Sequence, residues 1–202
     1  MATGFGVSPG TSWLDIVQRE SDTSIMNKAQ NGFTSTDLLS RFHEDVIPNS
    51  PDTLFIIVGT NDALLGRTAH YIYDNILQII KLCNENGISP IVILPPLLNV
   101  KVASELDGVN PETFGHASRT IKRYRRLIED YCEDEVIDTI DFHKAFVGYG
   151  SEENVRDYSI DGIHLSEEAH RKVADKFLYK YNYILLKRNQ EDYFINIKTV
   201  SE

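Results

Sequence analysis

Thr53-Leu54-Phe55-Ile56-Ile57-Val58 is a short run that is apolar on both faces of an extended chain. A strand of that kind has no side to give to water. It belongs inside a parallel sheet with helices on both faces. The run breaks abruptly into Gly59-Thr60-Asn61-Asp62. Ile91 to Leu94 repeats the pattern and stops at Pro95-Pro96, and Val136 to Asp141 is a third strand. Between them lie helical patterns. Ile72, Ile76, Ile79, Ile80 and Cys83 share one face and end at Asn86-Gly87, a helix-closing pair. From Pro111 to Tyr131, Phe114, Ala117, Ile121, Tyr124 and Ile128 do the same, and Ala169, Val173, Phe177, Tyr181 and Leu185 mark a last helix. Strand alternating with helix predicts an α/β, flavodoxin-like three-layer sandwich with a mostly parallel central sheet.

The flanks are less regular. Residues 4–10 form a glycine-rich loop, after which Thr11 or Ser12 caps a short helix carrying Trp13, Ile16 and Val17. Residues 23–28 read as a short strand with its exit loop at 27–32. Thr34 to Thr36 open a helix with Leu38, Leu39, Phe42 and Val46 on one face, ended by Pro48. Residues 97–111 and 148–160 are irregular stretches long enough to shape a pocket, with Tyr149 and Tyr158 as candidate lining. The helical pattern ends after Arg188, and Tyr193 to Val200 alternate like an edge strand. This divides the chain into a domain over 1–187 and a tail over 188–202.

Composition narrows the partners. A net charge of −10 and a pI near 5.0 argue against nucleic acid and anionic membranes. The one basic cluster, Arg119 to Arg126, alternates with Ile121 and Tyr124 and reads as the wet face of a helix. Cys83 and Cys132 both sit in helix-periodic stretches, as small buried hydrophobes of a reducing compartment. The six histidines show no metal-ligand spacing, so neither a metal nor another cofactor is expected. No apolar run reaches membrane-spanning length, and no charged-then-apolar leader opens the chain. The default placement is the cytoplasm.

Chemistry concentrates in Asp161-Gly162-Ile163-His164. On a tight turn, a carboxylate three residues before a histidine can bond one ring nitrogen, fix the tautomer and leave the other nitrogen as a general base. Ser166 follows as an N-cap, with Glu167 and Glu168 in the first helical turn. Gly32, Asn61 and His164 all lie at or after strand ends, the rim where open α/β sheets build their sites. Plainer readings stand beside these. Asp161 and His164 also suit a loop capping a helix, Asn61-Asp62 a turn, and Gly32 a turn glycine. Asp37 and Asp62 read as caps or turn formers, and His43, His70, His116, His143 and His170 as ordinary polar or helix-surface residues.

In these blocks the chain resembles the SGNH, or GDSL-type, esterase and lipase family. Asp161 to His164 is similar to the family's DxxH element and Gly59-Thr60-Asn61-Asp62 to its GxND block, while Gly32 matches the glycine of the second block. The likeness runs from Gly4 to about Lys187. It implies a serine esterase acting on small acyl or acetyl esters, with His164 as base and Asp161 as its orienting acid. The oxyanion donors would be the Gly32 backbone N–H and the Asn61 side-chain amide. One such donor is worth roughly 3–4 kcal/mol in the transition state.

The family's first block, Gly-Asp-Ser, has no counterpart here. Met1 falls just after the position of the nucleophile, and the strand that leads into that block is missing too, so the first strand of the sheet is expected to be absent. Ser8 and Ser12 follow no buried strand, and Ser8 precedes a proline. No nucleophile is visible. Either Met1 is an internal position and the natural protein is an esterase, or the chain is a catalytically dead binding or scaffold domain of the same ancestry. A flavodoxin-like regulatory domain outside the family is disfavoured, because neither a P-loop nor a GxGxxG fingerprint occurs.

Overall fold

The structure is a computed structural model that describes residues 3–146 and 158–200, with side chains as far as Asn189. Its centre is a parallel sheet of three strands, β1 (Thr53–Ile57), β2 (Ser89–Leu94) and β3 (Thr139–Asp141), in that spatial order. Thr53 pairs with Ser89, and Val92 with Thr139. The side-chain alternation of period two sends Ile56, Val92 and Leu94 to one face and Ile91, Ile93 and Ile140 to the other.

Each face has its own helices. On the first, α5 (Ala69–Glu85) and α7 (Pro111–Asp134) bury Ile72, Ile76, Ile121, Tyr124 and Ile128. On the second, α1 (Trp13–Glu20) and α8 (Glu167–Val200) bury Trp13, Val17, Val173 and Phe177. Helix, sheet and helix make the three layers expected from the two-faced strands. Short helices connect them: α2 (Ser35–Ser40), α3 (Phe42–Asp45), α4 (Thr60–Leu64) and α6 (Val100–Ser104). Capping boxes start two of the helices. Ser12 and Asp15 bond reciprocally at α1, and Thr34 and Asp37 at α2, so Asp37 is a cap as read from sequence. Among the described residues no helix is long and apolar enough to cross a membrane.

Several expectations are corrected. Residues 23–28 form no strand, since no described strand lies beside them to complete a ladder; the Gln18 amide instead donates to the Ile25 carbonyl at 2.8 Å. The helix opened by Thr34 breaks at Arg41, and Pro48 lies inside a separate 3-10 turn, Ile47–Asn49. The third strand starts at Thr139, because Val136 adopts a left-handed φ of 57° and leaves the extended path. Tyr193 to Val200 are helical and continue α8. No glycine or proline separates Arg188 from Val200, so a helix already nucleated propagates through a segment whose alternation alone suggested a strand.

Candidate active site

The turn before α8 is built from backbone bonds outward. Ser159 and Leu165 form an antiparallel bridge, and the Ile160 N–H donates to the His164 carbonyl at 2.9 Å. Inside this loop one oxygen of Asp161 accepts the backbone N–H groups of Ile163 (2.9 Å) and His164 (2.7 Å). The other oxygen lies 2.6 Å from His164 Nδ1. Burial alone would raise the Asp161 pKa, but the bonds from the His164 backbone, its ring and the Ile163 N–H hold it below the usual carboxylate range. The carboxylate is therefore charged at neutral pH, and it engages the imidazole through Nδ1.

Gly162 makes the turn possible. Its φ is +89°, and a Cβ there would sit 2.8 Å from the Asn99 carbonyl oxygen and 2.7 Å from the Ala103 Cβ. The Asn99 N–H donates to the Gly162 carbonyl at 2.9 Å, and the Gly162 N–H to Ser159 Oγ at 2.7 Å. Residues 97–111 thus act differently from expectation. They fold into α6 and brace the turn from behind, and they are absent from the lining of the groove in front of it. Gly162→Ala should cost about 2 kcal/mol from the left-handed backbone alone, with the clash against Asn99 added. A urea titration alongside the wild type checks this, and unchanged stability would refute the bracing role.

Across from His164 stand the two other blocks. Gly32 has φ +81°, is exposed, and has open space where a Cβ would be, so no side chain stands over the groove at this position. The Asn61 amide, at the start of α4, donates to the Phe33 carbonyl at 2.7 Å. That bond fixes the spacing between the Gly32 segment and the end of β1. Behind it is a network that sequence reasoning missed. Asp62, read as a turn former, is fully buried and accepts from the Ser35 N–H (2.8 Å), Ser35 Oγ (2.7 Å) and Arg67 (3.1 Å). Asn75 donates to Ser35 Oγ at 2.8 Å. The signal available was the Asn61-Asp62 pair itself, one residue facing the rim and the next facing the core. Gly32, Asn61 and His164 line a single groove of about 730 Å³.

Other candidates fall elsewhere. Ser12 is buried, and its hydroxyl is committed to Asp15 at 2.7 Å. Ser8 donates its N–H to Glu167 at 3.0 Å, which pins the glycine-rich loop to the first turn of α8. Tyr158 does not line the groove. It is buried, stacks on Phe146 at 4.6 Å and donates to the Leu97 carbonyl at 2.9 Å. Tyr149 lies outside the described residues. His170, read as a surface residue, is buried with Nδ1 accepting the Trp13 N–H at 3.1 Å, because α1 covers the first turn of α8. Phe5, which sequence reasoning left unassigned, packs on the His164 ring with centroids 4.4 Å apart.

Comparisons with known proteins agree with this fold. A structure of a member of the lipolytic protein G-D-S-L family from Veillonella parvula superimposes with a TM-score of 0.73 at 20% identity, covering 90% of this chain and 93% of that one. An acetyl xylan esterase does so with a TM-score of 0.68 at 22% identity, over 84% and 90% of the two chains. An uncharacterized lipoprotein, YqeF of Bacillus subtilis, is 30% identical over 89 residues, which is 40% of this chain and only 37% of the relative's length. The family model for GDSL-like Lipase/Acylhydrolase matches residues 1–172. The chain belongs to the GDSL-like lipase/acylhydrolase family.

Proposed function

We propose that this chain carries the base, acid and oxyanion side of a serine ester hydrolase site for small acyl or acetyl esters. The observation that carries the reading is the Asp161–His164 pair at 2.6 Å, in one groove with Gly32 and Asn61. In this reading His164 Nε2 takes the proton from a serine hydroxyl as its oxygen attacks the ester carbonyl. Asp161 stabilises the imidazolium that results. The Gly32 N–H and the Asn61 amide bond the oxygen that gains charge. Asn61 has a second N–H beyond the one given to Phe33, which leaves a donor for that oxygen. Phe5 over the imidazole restricts the room above it and favours a small acyl group. The substrate is a small-molecule ester, and the buried thiols of Cys83 and Cys132 fit a reducing, cytoplasmic setting.

The same reading holds that the described residues supply no nucleophile, since the Ser12 hydroxyl is spent on its cap. Residues 1–202 alone should therefore hydrolyse esters little or not at all, and would behave as a binding domain. Treatment with a fluorophosphonate probe, followed by intact-mass measurement, should leave the chain unmodified. Stoichiometric labelling at Ser8 or Ser12 would overturn this.

A further inference from the structure

α8 is apolar on two opposite faces. One face, with Val173, Phe177, Tyr181 and Ile184, is buried in the core, and Arg188 donates to Asp138 at 2.9 Å just before β3. About half a turn away stand Tyr179, Tyr183 and Leu186, which are 71%, 56% and 63% exposed. Single exposed hydrophobic residues are ordinary. These three form one line, at steps of four and then three residues. The same alternation continues along the helix through positions 190, 193, 197 and 200, which are Gln190, Tyr193, Ile197 and Val200. Steps of four and three kept up over three heptads are the pattern of a coiled-coil seam. Tyr183, Gln190 and Ile197 take its a positions, and Tyr179, Leu186, Tyr193 and Val200 its d positions. Lys172 and Lys176 would come next toward the N-terminus, so the seam begins at Tyr179. At 1.5 Å per residue it is about 33 Å long.

We propose that this stripe pairs with the same stripe of a second copy of this chain, the two α8 helices lying side by side and parallel. The residues flanking the seam select that occupant. In a parallel pair each g position faces the e position five residues further along the other helix. Asp175 then faces Lys180 of the other copy, and Asn182 faces Lys187. Asn189 and Asn196 keep the remaining g positions uncharged. The first pair is of opposite charge and no like charges meet along the seam, so the stripe is complementary to itself. Lys180 already stands beside the seam, 5.3 Å from the centre of the Tyr183 ring.

The glutamine at one a position points the same way. An amide both donates and accepts, so across a two-fold axis it can bond its own twin and fix the register of the pair. The hydrocarbon of a membrane would leave that amide unmet. Pairing also leaves the candidate active site open. The groove takes its α8 wall from Phe177 and Tyr181, which lie on the opposite face of the helix. The dimer therefore stands independently of the hydrolase reading.

Sedimentation equilibrium of the full chain should give a mass twice the 23.0 kDa of one copy. Leu186→Glu should weaken the pair by more than about tenfold, because it sets a carboxylate against its twin inside the seam. Tyr179→Glu should act in the same direction. Both positions are exposed in the single chain, so near-ultraviolet circular dichroism should show the core of each variant intact. Leu186→Cys should form a disulfide between copies on mild oxidation, since d positions of a parallel pair face each other, while the buried Cys83 and Cys132 stay reduced. The mass of one copy at every loading concentration would overturn the proposal. So would a dimer that Leu186→Glu leaves intact, or a dimer of Leu186→Cys that forms no cross-link. Flotation of a monomer with phosphatidylcholine vesicles, lost in Leu186→Glu, would assign the stripe to a membrane and overturn it as well.

Discussion

Asp141→Ala should lower the stability of this protein by about 3–5 kcal/mol, a fall in Tm of roughly 10 °C or more for a chain of this size. Asp141 closes β3 and is buried. One of its oxygens accepts from Arg125 Nη2 at 2.8 Å and from the His143 N–H at 2.9 Å, while Lys144 stands 3.4 Å from the other. Arg125 also donates to the Pro95 carbonyl, so one guanidinium joins α7 to the ends of β2 and β3. Burial by itself would raise the Asp141 pKa, but the charge and hydrogen bond of Arg125 hold it below the usual range. The large cost comes from what is left behind, a buried guanidinium without its counter-ion. Two comparisons separate this from general loss of contacts. Glu20→Gln removes an exposed partner of Arg171 and should leave Tm where it was. Replacing the pair together, Arg125→Met with Asp141→Leu, should recover most of the loss. If the single and double variants melt alike by calorimetry, the stranded-charge account is wrong.

His170 should make stability fall between about pH 6.5 and pH 4. Burial pushes its pKa down from 6.5 to about 4, against a smaller upward pull from Asp15 and Glu167. Because Nδ1 accepts the Trp13 N–H, the ring must stay neutral in the folded chain. The unfolded chain takes up a proton near pH 6.5 and the folded chain does not, so acidification draws the equilibrium toward unfolding. Stability is full above pH 6.5, declines below it and stops declining near pH 4. The whole loss is about 3 kcal/mol, taking 1.36 kcal/mol per pKa unit. Asp141 and Asp161 act in a lower window. Their depressed values give stability that is present above the ordinary carboxylate range and lost only as pH falls through it. Urea unfolding of wild type and His170→Gln across this range isolates the effect, since glutamine can accept the Trp13 N–H without titrating. Parallel curves for the two proteins would show that the slope comes from elsewhere.

Much of the molecule was legible before any coordinates. The two-faced run at Thr53 to Val58 could only be a covered strand, and the helix pattern around Ile72 to Cys83 could only face it. The capping signals at Ser12, Thr34 and Ser166 are local chemistry, in which an oxygen three residues from an N–H closes the same ring in any protein. For that reason Asp161 and His164, three apart on one turn, were also readable as a bonded pair. The family blocks brought Gly32 and Asn61 to the same rim.

What the tertiary structure decided are the contacts between residues far apart in sequence. No local rule joins Ser35 to Asp62, Arg125 to Asp141 or Trp13 to His170, because each pair lies far apart in sequence and meets only through packing. Strand formation is of the same kind. Residues 23–28 have strand-like composition, but a strand exists only by bonding to a neighbour, and among the described residues none pairs with them. A helix needs no such neighbour, so Tyr193 to Val200 follow the helix they continue. Sequence alone thus determines the elements whose hydrogen bonds are internal or capped nearby. Where a backbone or buried charge must find its partner across the fold, only the assembled structure says which partner it finds.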